Sequence, residues 1–299
     1  MLVIALLGAA SPAPAQEQTL DLLDGETLYD SGSLIALVYE VERRERLLDG
    51  DSRVSDPLDR EQTDHRLTLS GHYGLRHDLQ LSAIVPYAYH ELELDDPAGA
   101  DRLQANGLGD ITGLIKWRFY RWDAPHQALN VAALAGLELP TGSDDERDGG
   151  VRLDPDLQPG SGSWDPLLGA AATYEPGRWR FNGAVLYKWN TESAGDLDLG
   201  DELFAEIAAG NRFWLEPYPG PFMRLDVLLR YRDEGRASRD GIDLRDTGGD
   251  LITLGANLAF RPRPSLDLQA SVEFPLYERV NGIQLAEAFT VSLSFGYRF

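Results

Sequence analysis

The last eleven residues, FTVSLSFGYRF, place Phe289, Val291, Leu293, Phe295, Tyr297 and Phe299 in alternation with Thr290, Ser292, Ser294, Gly296 and Arg298. A period of two is the mark of a β-strand, whose successive side chains point to opposite faces. The pattern recurs along the chain. Leu67, Leu69, Gly71, Tyr73 and Leu75 alternate with Arg66, Thr68, Ser70 and His72, and Met223, Leu225, Val227, Leu229 and Tyr231 with Arg224, Asp226, Arg230 and Arg232. About twelve such segments fall near 33–43, 65–75, 79–91, 107–120, 127–139, 165–175, 178–190, 201–213, 222–233, 250–261, 265–277 and 285–299. An even number of alternating strands of roughly ten residues is the signature of a transmembrane antiparallel barrel. The polar faces carry too much Arg, Lys, Asp and Glu to form the dry core of a sandwich. They must line water, and the apolar faces must meet lipid.

The connections support this. Those at 44–64, 92–106, 140–164, 191–200, 234–249 and 278–284 are long, and those between them are short, with turn chemistry such as EPG and RPRP. Bacterial barrels have long outer loops and short periplasmic turns. Tyr87, Tyr89, Trp117, Phe119, Tyr187, Trp189, Trp214, Tyr231 and Tyr297 lie near strand ends, where interfacial aromatic girdles belong. The expected fold is therefore all-β: an up-and-down antiparallel transmembrane barrel of about twelve strands over 33–299. MLVIALLGAASPAPAQ reads as a signal peptide over 1–15, followed by a short periplasmic segment over 16–32. Leu20, Leu22 and Leu23 could tuck a short helix from that segment into the lower mouth. The expected location is the outer membrane of a Gram-negative bacterium.

Several chemistries are disfavoured. Cys is absent, which removes disulfides, thiolate catalysis and Cys-metal sites. A formal charge of -22 argues against nucleic acid as a partner. GLGDITG (107–113) opens a strand and not a helix, so it is no dinucleotide loop, and no cofactor is expected. LPTGS (139–143) sits mid-chain, away from any sorting anchor. The five His are scattered, and Ser70 and His72 share a face that points into the lumen, where a lipid hydrolase would have no use for them. No catalytic or metal-ligating residues are expected. The acidic runs at 144–148 and 196–202 read as solvated outer loops that divalent cations could bridge to lipopolysaccharide.

GLGDI opening a strand, LPTG ending the next and LQPGSGSWDPLLG opening the one after resemble the outer-membrane transporter family named for the meta-pathway of phenol degradation. VEFPLYERVNGIQL (272–285) and the terminal Phe resemble it too, so the likeness runs from about Gly107 to Phe299, with weaker agreement at 23–33. The resemblance implies a barrel through which small compounds, often aromatic or hydrophobic, pass. An aromatic-ending strand also resembles the signal read by the barrel assembly machinery, here Tyr297 and Phe299.

Strand parity then nominates a permeation path lined by Arg66, His72, Lys116, Glu138, Arg180, Lys188, Glu206, Arg224, Asp226 and Arg230. The inward cations outnumber the inward carboxylates in this reading, which predicts a weak preference for anions. Side chains inside twelve strands leave an opening on the order of 10 Å or less, suited to small metabolites. The expected function is passive passage of small aromatic or anionic solutes. The rivals are a structural or surface-interaction barrel with an occluded lumen and, behind it, an outer-membrane lipid hydrolase.

Overall fold

The computed structural model describes residues 22–95, 102–193 and 196–299; the expected signal peptide lies outside them. Twelve long strands form the wall: β1 Ser33–Asp49, β2 Glu61–Arg76, β3 Leu79–Glu93, β4 Ile111–Ala124, β5 Gln127–Leu139, β6 Asp165–Pro176, β7 Trp179–Lys188, β8 Glu202–Leu215, β9 Phe222–Glu234, β10 Gly249–Arg263, β11 Leu266–Val280 and β12 Ile283–Arg298. Each pairs antiparallel with its sequence neighbours. The sheet closes where β12 meets β1, from Leu34 opposite Arg298 to Asp49 opposite Ile283. Closure removes both edges, so the backbone's polar groups are satisfied within the wall and the barrel can sit in hydrocarbon.

The alternation decides which face is which. On β1, Ile35, Leu37 and Tyr39 are exposed while Leu34, Ala36, Val38, Glu40, Glu42 and Arg44 are buried. Exposed apolar side chains continue around the outside through Leu69, Leu81, Ile115, Leu168, Val185, Ile207, Leu225, Leu254 and Leu293. An apolar outer surface of this extent is that of a membrane-spanning barrel.

One end carries short turns at 77–78, 125–126, 177–178, 216–221 and 264–265, and the other carries the long connections. The last outer connection departs from expectation. It is a two-residue turn, Asn281–Gly282, with Gly282 at φ +67°. Glycine reaches that left-handed conformation without strain, so β11 and β12 run unbroken up to a tight turn. The wall also has one interruption. β4 pairs with β3 from Leu79 opposite Trp117 to Ile84 opposite Thr112, after which a separate strand, Arg102–Leu108, takes over opposite Tyr87 to Glu93. Pro86 lacks an N–H for the ladder, and its carbonyl accepts from Gly109 N at 2.9 Å across the break.

Candidate functional site in the barrel lumen

The lumen holds chain that does not belong to the wall. Residues 22–31 enter it through turns, the earlier part of the segment expected to tuck a short helix there lies outside the described residues, and Leu22 and Leu23 reach an inward apolar layer of Ile84, Leu114, Leu134, Leu167, Leu186 and Phe204. Leu20 lies outside the described residues. Polar contacts tether the segment. Asp24 takes Lys116 Nζ at 2.8 Å and Arg180 at 2.9 Å, and Arg180 also meets Glu26 at 2.7 Å. Gly25 N donates to Thr173 Oγ1, Leu28 N to Gln80 Oε1 and Asn182 Nδ2 to Leu23 O. Ser31 N donates to Gly74 O, and Gly74 N to Gly32 O, both at 2.8 Å, which continues the pairing into β1.

A second barrier crosses the outer mouth. Leu153 and Leu157, on the loop between β5 and β6, pack against the buried side chains of Leu47, Leu92, Ala105 and Leu285. The three motif segments at 107–110, 139–143 and 158–165 converge to anchor that loop. The carboxylate of Asp110 accepts from Thr141 N (2.9 Å), Gly142 N (2.7 Å), Ser161 N (2.6 Å) and Ser161 Oγ (2.8 Å). A Cβ on Gly142 would stand 2.8 Å from the backbone of Gly160, so the backbones approach as only glycines allow.

All ten nominated lumen residues face inward. Lys116 and Arg180 meet on Asp24. Lys188 sits between Glu202 (2.7 Å) and Glu138 (3.6 Å), Arg66 pairs with Glu40 (3.2 Å) and Arg224 with Asp226 (2.7 Å). Arg230 joins Glu206 (2.8 Å) to Glu273. His72 lies between Ser70 Oγ (2.9 Å) and Ser82 Oγ (2.8 Å), well inside the wall. Among the described residues, no group of three His, Asp or Glu side chains is placed to hold a metal ion.

The sequence reading missed Arg44, Asp64, His90, Glu175 and Glu202. Arg44 pairs with Glu42 at 2.6 Å and Asp64 with His90 at 2.7 Å. Carrying each strand's alternation two to four residues beyond its apolar run would have found most of them, because the parity of Glu42 continues to Arg44 and that of Arg66 back to Asp64. Their inclusion corrects the charge estimate. In the long-loop half, buried Glu40, Glu42, Asp64, Glu138, Glu202, Glu234, Glu273 and Glu287 outnumber Arg44, Arg66, Lys188, Arg230 and Arg232. The expected cationic surplus is confined to the short-turn half. There a cavity of about 440 Å³ is lined by Arg118, Arg121, Arg180, Arg212, Arg224, Arg261 and Arg298, with Asp24, Glu26, Glu175 and Asp267 between them.

No curated protein matches the chain in sequence. In three dimensions it resembles the COG4313 outer membrane channel from Pseudomonas putida F1, at TM-score 0.73 and 19% identity over 94% of this chain and 100% of that one. It also matches the transport unit of the autotransporter AIDA-I from Escherichia coli, at TM-score 0.49 and 8% identity over 95% of each chain. The first likeness is one of fold. The sequence itself matches the family model described as "Putative MetA-pathway of phenol degradation" over residues 63–293, a span that takes in the three motif segments gathered around Asp110. The chain belongs to that family.

Proposed function

We propose that the protein is an outer-membrane channel for the passive passage of small molecules, and that passage requires movement of the segment at 22–31 or of the outer loop at 140–164. Family membership and the channel-like fold support the reading. One observation carries it: the apolar layers across the lumen are completed by Leu22 and Leu23 at one level and by Leu153 and Leu157 at the other, all four on chain outside the wall. Such segments can shift while every wall hydrogen bond stays made.

The ten inward residues nominated from sequence form the candidate path, with Lys116 and Arg180 as the points where the segment is held. Lipid and lipopolysaccharide are the partners of the outer surface, and Tyr297 with Phe299 on β12 form the candidate signal for the assembly machinery. Solutes of small aromatic type fit the family, and no catalytic step is assigned. A second reading, a structural barrel with a permanently occluded lumen, is favoured by the complete burial of Lys116 against Asp24. Swelling of proteoliposomes in isosmotic phenol or small sugars separates the two. Swelling that rises when residues 22–31 are deleted supports the channel; rates equal to protein-free vesicles, with and without the deletion, overturn it.

A further inference from the structure

We infer that the arginine basin at the short-turn mouth binds a small organic carboxylate. The proposal deepens the channel reading by naming a ligand class for one end of the path. The basin's volume of about 440 Å³ lies within the range of small-molecule sites, about 300–1,000 Å³.

The wall chemistry is that of an incompletely neutralised cation cluster. Three carboxylates are each shared by two cations: Glu175 by Arg180 (2.9 Å) and Arg212, Asp267 by Arg298 (3.2 Å) and Arg261, and Asp24 by Lys116 and Arg180. Arg180 is itself held by Glu26 as well as by Asp24 and Glu175, so across these sets five cations, Lys116, Arg180, Arg212, Arg261 and Arg298, meet four carboxylates, and the excess lies at Asp267. Arg212 and Arg261 also lie over the ring of Phe222, at 5.5 and 5.0 Å from its centroid. That contact orients both guanidinium planes and adds no anion. The cavity lining as a whole holds seven arginines against four carboxylates. Even when Asp123 and Asp226, the partners of Arg121 and Arg224, are counted, the cations remain in excess.

Arginine is the side chain suited to this task. Its planar fork presents paired N–H donors that match a carboxylate edge, and it stays charged at any physiological pH. Within a mouth narrowed by the wall, the summed field of converging cations raises the local concentration of anions. The carboxyl-rich half of the lumen lies beyond the segment at 22–31. The basin therefore stands as a distinct anion-retaining compartment at one end of the barrel.

Equilibrium dialysis of the refolded full-length protein in neutral detergent, with benzoate and its uncharged isostere benzamide as probes, tests the proposal. Saturable benzoate binding at least about tenfold tighter than that of benzamide is expected from charge-assisted pairing. The double variant R212Q/R261Q should weaken benzoate binding by about tenfold or more. D267N is the decisive partner, because removing the shared carboxylate should tighten benzoate binding by about threefold, a gain that misfolding cannot mimic. Equal binding of the two probes, or weaker benzoate binding in D267N, overturns the basin. Benzoate binding without solute flux in vesicles would sustain the basin and remove the channel reading; flux without binding would do the reverse.

Discussion

Lys116 Nζ lies 2.8 Å from Asp24 Oδ1, with the lysine side chain wholly buried and the aspartate nearly so. The pair joins a wall strand to a segment that precedes the barrel by sequence. It is thus the point at which the lumen's content is bound to its container. Arg180 closes on the other oxygen of the same carboxylate, Oδ2, at 2.9 Å.

The first prediction follows from that geometry. Asp24→Asn breaks the buried ion pair with Lys116 while Arg180 keeps Glu26 and Glu175, and removing one member of a buried pair costs about 3–5 kcal/mol. The segment at 22–31 should loosen while the wall remains folded. Protease cleavage within 22–31 and solute flux in vesicles should both rise. Unchanged cleavage would show that the apolar contacts of Leu22 and Leu23 alone hold the segment.

At the outer mouth, Leu153→Asp and Leu157→Asp each place a charge in an apolar cluster with Leu47, Leu92 and Leu285. An isolated charge is strongly disfavoured there, so the loop should lift away from the mouth. Vesicle swelling should increase several-fold over the parent protein. If it does not, the barrier to passage lies elsewhere, at the layer of Leu22 and Leu23.

Asp110→Ala removes an acceptor of four hydrogen bonds and strands the N–H groups of Gly142 and Ser161, while Thr141 N keeps Leu139 O as its acceptor. The cost is about 1–3 kcal/mol for each donor left buried and unpaired. The loop at 140–164 should become a preferred site of limited proteolysis, and Asp110→Asn should sit between parent and alanine variant. Resistance equal to the parent's would mean that the Gly142–Gly160 contact anchors the loop unaided.

The connection at 50–60 lies outside the spanning strands and should respond to acid. Burial raises the pKa of Asp56, but hydrogen bonds from Arg60 and from the backbone N–H groups of Arg60 and Leu58 outweigh it and hold the carboxyl below its usual value. A folded pKa below the unfolded one, about 3.9, stabilises the loop above that pH, and the contribution is lost as pH falls through the folded value. The protection of amides across 50–60, relative to the exchange of an unstructured chain at the same pH, should therefore fall below about pH 4. In Asp56→Asn the loop should exchange faster at neutral pH, with this acid step gone.

Phe299 N donates to Ser33 O at 2.9 Å, and the Phe299 ring meets Tyr297 edge-on at 5.0 Å. Phe299→Ala should lower the yield of barrel assembled in cells while leaving refolding in detergent near the parent's. Equal cellular yields would remove the assembly role proposed for Phe299.

What the chain determined on its own is the wall. Period-2 alternation is local, and a strand's parity follows from a handful of neighbours, so Ile35, Leu37 and Tyr39 are legible as outward-facing and Glu40 and Arg66 as inward-facing without any knowledge of the fold. Turn residues set the alternation of short and long connections in the same local way. Only the tertiary structure decided what fills the tube. The pairing of Asp24 with Lys116 and Arg180 spans 92 and 156 residues of sequence, and no periodicity extends from the 22–31 segment to β4 and β7. The gathering of Gly109, Asp110, Gly142 and Ser161 likewise requires two separate connections, the one before β4 and the one between β5 and β6, to meet at one rim. Parity named the inward charges, but their separation into an acidic outer half and an arginine-lined mouth depends on strand stagger and on how far each strand runs beyond the bilayer. Those quantities are set when β12 closes on β1, because closure fixes the register of every strand in the ring at once.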